Sequence, residues 1–92
     1  PQVFYYTDSV NGEKLAKCIQ EALNEELEVS RPRTEKANNT YYLLKRSEGV
    51  LTIVECGFLS NGREAALLNT AEYQERVAEA VRDGILTYLE KT

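Results

Sequence analysis

The stretch Val50-Leu51-Thr52-Ile53-Val54 constrains the fold of this chain more than any other. It is rich in β-branched residues and favours an extended strand. Apart from Thr52 it is apolar on both faces, so it has no face to offer water. Such a run reads as a central strand covered from both sides, the pattern of α/β proteins in which helices flank a sheet. With 92 residues the chain amounts to one small domain. A chain this short buries a modest share of its surface, so its core is marginal unless something else covers it.

The remaining segments supply the partners of that strand. Val3 to Thr7 is a second β-branched and aromatic run, followed by turn residues Asp8-Ser9-Val10-Asn11-Gly12. Leu15, Ile19, Ala22, Leu23 and Leu27 then recur at helical spacing, which predicts a helix over 11–28 with Asp8, Ser9 or Asn11 as its N-cap. Ser30 to Asn39 is polar and reads as a loop. Its Arg31, Arg33 and Lys36 are either simply solvated or face an anionic substrate. Tyr41 to Lys45 reads as the next strand, Ser47-Glu48-Gly49 as a turn, and Val50 to Val54 as the third strand. Asn61 with Glu64 has the form of a capping box before a short helix through Leu68. Thr70 caps a last helix whose stripe is Tyr73, Val77, Ala80, Val81, Gly84, Ile85, Tyr88 and Leu89. Gly84 within that stripe marks close packing against the sheet, because a helical glycine otherwise costs about 1 kcal/mol. The order is β-α-β-β-α-α. The expected architecture is a partial three-layer α/β sandwich with a mainly parallel sheet, strands 1 and 2 being joined by a right-handed crossover. No repeat or linker divides residues 1–92.

Composition removes several functions. The net charge of −4 argues against nucleic acid and against a polybasic membrane anchor. No apolar run approaches the roughly 18 residues of a membrane span. The chain contains no histidine, so it supplies neither a Ser-His-Asp nor a Cys-His arrangement, nor the His-rich ligand sets of catalytic zinc sites. Cys18 and Cys56 lie in unrelated segments and read as small buried hydrophobes.

Glu55 carries the chemical interest. It sits where the apolar strand ends, and Gly57 lets the backbone turn away. In open α/β sheets ligand crevices lie outside the carboxyl ends of strands, and a carboxylate partly desolvated there moves toward general-base strength. A lone glutamate at a strand end is more often a capping or solvated residue. The surrounding string changes that weighting. Val54-Glu55-Cys56-Gly57-Phe58-Leu59-Ser60-Asn61 closely resembles the motif of the zinc-dependent N-acetylmuramoyl-L-alanine amidases, the type-3 amidase family. Asn38 through Arg46, Val3 through Tyr6 and the two helical segments after the motif are also similar to the spore-cortex members of that family. The resemblance covers essentially the whole chain, but only the C-terminal half of the family's catalytic domain.

The resemblance implies a peptidoglycan hydrolase that cleaves the amide between N-acetylmuramic acid and L-alanine. It maps the general acid/base glutamate onto Glu55. It implies zinc as cofactor of the complete enzyme, held by His, Glu and His ligands that fall on no position of this chain, so the chain alone is expected to be inactive. It also implies an extracytoplasmic location in a bacterial cell wall or spore envelope. Asn38 and Asn39 are candidates for hydrogen bonds to the glycan or stem peptide, the alternative being ordinary loop roles. Cys56 is a packing residue before it is a nucleophile, since an activated thiol needs a base or cationic neighbour. A chain opening without Met on a strand-like run reads as a cut domain, its strand edge covered by the missing half or by a second copy. Two other readings stay open: a non-catalytic binding or regulatory module retaining part of the amidase fold, and an enzyme assembled from two chains.

Overall fold

The computed structural model describes residues 1–46, 48–56, 62, 66 and 69–92. A three-stranded sheet has β1 (Gln2–Tyr6) at its centre, flanked by β2 (Lys36–Asn38) and β3 (Thr52–Glu55). β2 runs parallel to β1, with Tyr6 opposite Asn38, and β3 runs antiparallel, with Val3 opposite Val54 and Gln2 opposite Glu55. α1 (Val10–Glu26) connects β1 to β2, α2 (Tyr42–Arg46) lies between β2 and β3, and α3 (Ala71–Glu90) follows. The expected capping box and short helix from Asn61 to Leu68 fall largely outside the described residues, as do Gly57 to Asn61 of the motif.

The pleat of β1 sorts its side chains. Val3 and Tyr5 join Ala16, Ile19 and Leu23 of α1 and Tyr73, Val77 and Ala80 of α3 in one core, against which Val54 and Cys56 also pack. Phe4, between them in sequence, points the other way and meets Tyr41 just before α2. The long helices therefore cover one face of the sheet and α2 part of the other, so the layered α/β arrangement is present. Helix α1 begins where Ser9 Oγ accepts from Gly12 N at 2.9 Å. It ends in a Schellman arrangement: Val29 N donates to Asn24 O and Glu28 N to Glu25 O, with Glu28 in the left-handed region at φ 51°. The Asn24 side chain then grips the crossover, donating to Arg33 O at 2.7 Å.

Four expectations need correction. The sheet is mixed, not mainly parallel, because β3 pairs antiparallel with β1. Tyr41 to Lys45 is not a strand. Lys45 N closes a helical bond onto Tyr41 O at 3.1 Å, and within α2 only Leu44 is buried, a spacing that no alternating strand would show. The second strand lies instead at Lys36–Asn38, inside the segment read as a loop. The apolar run at Val50 is not a central strand: all four residues of β3 are half-buried and Val50 is exposed. Finally, Gly84 packs against α1 and not against the sheet. A Cβ at this position would stand 2.6 Å from Ile19 Cα, 2.9 Å from Ile19 N and 3.0 Å from Cys18 O.

Polar groups in this core are tied to the strand. Gln20, 1% exposed on α1, accepts from Val3 N at 2.8 Å and from Gln2 Nε2 at 3.3 Å, and donates to Pro1 O at 3.2 Å. Gln2 Nε2 also donates to Thr34 O at 2.7 Å, so one buried network links β1, α1 and the approach to β2. Replacing Gln20 by Leu keeps the volume and strands a buried backbone N–H. Equilibrium urea denaturation of Gln20→Leu is expected to show a loss of about 2 kcal/mol. At Gly84 the atoms in the way are backbone and cannot step aside. Overpacking of about 1–3 kcal/mol works against the roughly 1 kcal/mol gained in helix propensity. Gly84→Ala is therefore expected to lower stability by up to about 2 kcal/mol in the same assay, whereas in an open helix the change would stabilise.

Candidate active site

Glu55 is the last residue of β3, half-buried and directly across the ladder from Gln2. Its position follows from the neighbours that flank it. Val54 belongs to the face packed on α1 and α3, so by alternation Glu55 belongs to the opposite, less covered face. There Tyr41 Oη donates to Glu55 Oε1 at 3.1 Å. The Tyr41 ring stands edge-on to Phe4, with centroids 5.5 Å apart and planes at 86°, a favourable aromatic geometry. The hydrogen bond to Glu55, with some desolvation and the negative charge of the carboxylate, raises the Tyr41 pKa above the ordinary tyrosine value. The phenol thus stays protonated and remains a donor.

Asn38 builds the turn that delivers Tyr41. Its Oδ1 accepts from Thr40 N at 2.9 Å, Thr40 Oγ1 at 3.2 Å and Tyr41 N at 2.9 Å. Three donors converge on one carboxamide oxygen, which competes with strand continuation and starts α2 instead. Asn39 beside it is exposed. Asn38 pairs with Tyr6 and Glu55 with Gln2, so the two lie at opposite ends of β1, offset by about 13 Å along it at ordinary strand rise. The structure therefore connects Asn38 to Glu55 through Tyr41 and not side by side. Tyr41 was missed as a site residue because Tyr41-Tyr42 has strand propensity. The usable signal was Asn38 placed three residues before it, an Asx-turn residue ahead of an aromatic pair.

Other features lie elsewhere. A cavity of about 170 Å³, lined by Tyr6, Asp8, Ser9, Leu44, Glu48 and Leu51, opens at the start of β3, away from Glu55. Cys18 is buried, and Cys56 is half-buried against the core, both as free thiols. Among the described residues no group of three His, Cys, Asp or Glu side chains stands close enough together to hold a metal ion. No helix among them is long and apolar enough to cross a membrane.

The chain is 40% identical over 87 residues to the germination-specific N-acetylmuramoyl-L-alanine amidase of Bacillus subtilis (strain 168), covering 95% of this chain and 36% of that protein. Among solved structures it superposes on the CwlD amidase from Clostridioides difficile, determined in complex with the GerS lipoprotein. The TM-score is 0.94 at 40% identity, covering 99% of this chain and 46% of that one. It also superposes on an N-acetylmuramoyl-L-alanine amidase from Clostridium difficile 630, with a TM-score of 0.87 at 30% identity, covering 97% of this chain and 47% of that one. The chain thus spans about a third of the curated relative and just under half of each solved neighbour. Residues 2–87 match the family described as N-acetylmuramoyl-L-alanine amidase, and the chain belongs to that family.

Proposed function

We propose that this chain supplies the proton-transferring part of a peptidoglycan amidase, with Glu55 as general acid/base. The observation that carries the reading is Glu55 itself: a half-buried carboxylate at a strand exit, on the less covered face of the sheet, with one oxygen already bonded to a phenol. Cleavage of the amide between N-acetylmuramic acid and L-alanine requires water to attack the carbonyl carbon while the C–N bond breaks. Glu55 takes the proton from the attacking water and returns it to the alanine nitrogen, so the amine leaves neutral and the carboxylate is restored. Asn39, exposed beside the Asn38 turn, is a candidate for a polar contact to the glycan or stem peptide.

The zinc of the complete enzyme, in this reading, is held by the part of the catalytic domain that these 92 residues do not span. When bound, it supplies carbonyl polarisation and a more acidic water. A peptidoglycan substrate, and relatives named as germination and cell-wall amidases, put such an enzyme outside the cytoplasm, in the bacterial wall or spore envelope.

A hybrid tests the assignment. The chain replaces the matched span of the Bacillus subtilis relative, and release of N-terminal L-alanine from purified peptidoglycan is followed. The hybrid is expected to cleave, and Glu55→Gln within it to lose about 10²–10⁴-fold in kcat. Undiminished turnover by the Glu55→Gln hybrid would remove Glu55 from the chemistry. A folded hybrid that binds peptidoglycan without cleaving it would favour a non-catalytic module.

A further inference from the structure

Tyr41 is more constrained than a surface tyrosine beside a carboxylate needs to be. Its backbone N–H is bound by Asn38 Oδ1 at 2.9 Å. Its carbonyl accepts from Lys45 N at 3.1 Å, fixing the entry to α2. Its ring is set edge-on against Phe4, the middle residue of the central strand. With the backbone bonded on both sides and the ring packed, the phenol oxygen arrives at Glu55 Oε1 without a free torsion to search. We propose that Tyr41 is the positioning residue for Glu55: its hydroxyl fixes Oε1, and so fixes the side-chain conformation from which the other oxygen exchanges the proton. This rests on the reading of Glu55 as proton carrier.

The chemistry suits the task. A glutamate has three rotatable bonds and loses substantial freedom when held in one geometry, while misplacement of a catalytic group by about 1 Å can cost 10²-fold in rate. A phenol donates a single hydrogen bond and brings no charge to the site at working pH. The residue facing Glu55 from the adjacent strand is the uncharged Gln2, so Tyr41 is the titratable group joined to it among the described residues. Tyr41 touches neither water nor substrate in this scheme and acts only through the carboxylate.

Two measurements test the assignment separately from the function of Glu55. In the 92-residue chain, NMR of tyrosines labelled at Cζ follows each phenol. Tyr41 is expected to ionise above the ordinary tyrosine range, and Glu55→Gln to bring it back down. If Tyr41 ionises at the same pH in both proteins, the bond is not formed and the proposal fails, whatever the hybrid does. In the hybrid, Tyr41→Phe keeps the ring against Phe4 and deletes only the donor. It is expected to lower kcat about tenfold to a hundredfold and to leave KM and the melting temperature near their original values. An unchanged kcat in Tyr41→Phe, with Glu55→Gln inactive, would reduce Tyr41 to a structural contact while leaving the role of Glu55 intact.

Discussion

Two helices meet at a point where one of them has no side chain. At Gly84 the backbone of α3 reaches the backbone of α1 at Cys18 and Ile19 more closely than any Cβ would allow. Helix α1 lies on the sheet and α3 packs against α1, and Val3, Tyr5 and Val54 complete the core they share. Among the described residues the Phe4 face is covered by a five-residue helix and the turn before it, and Glu55 lies half-buried on that face.

Buried amides do the second part of the work. Gln20 meets the first backbone groups of β1 while Gln2 reaches Thr34, so the strand is anchored to α1 and to the approach of β2 by side chains as well as by the ladder. In a core this small, buried amides bonded to backbone groups limit register error where apolar packing alone would tolerate it, although Gln2 Oε1 itself finds no partner among the described residues. Across that ladder from Gln2 stands Glu55, so the network that sets the strand also sets the position of the carboxylate.

The two long helices were legible in the chain because their stripes are long and periodic; the predicted cap Thr70 accepts from the first turn of α3, and of the three candidates Asp8, Ser9 and Asn11 it is Ser9 that does so for α1. Glu55 at a strand exit was legible for the same reason: an apolar run ends there abruptly. What failed was local. Tyr41 to Lys45 has the composition of a strand, yet the three donors gathered by Asn38 and the contact with Phe4 fold it into a turn and a helix. The Asn38 turn is a local signal that strand propensity outweighed, and the Phe4 contact joins distant segments, which propensity does not register. Strand direction was also out of reach. An apolar run looks alike in either orientation, and the antiparallel pairing of β3 follows from how the chain returns after α2. The partnership of Tyr41 with Glu55 required both facts, and so neither residue pointed to the other in advance.

The central strand is built from residues 2–6, whereas its two neighbours begin at residues 36 and 52. Within these residues the middle strand therefore precedes both of its neighbours by a long stretch of chain. Gln20, less than twenty residues on, offers Val3 N a partner nearer in sequence than either strand. Pairings across such separations are slow to close, and an apolar strand that waits with bare edges is prone to stray association. The order of elements along the chain thus makes the centre of the sheet the part whose contacts close most slowly.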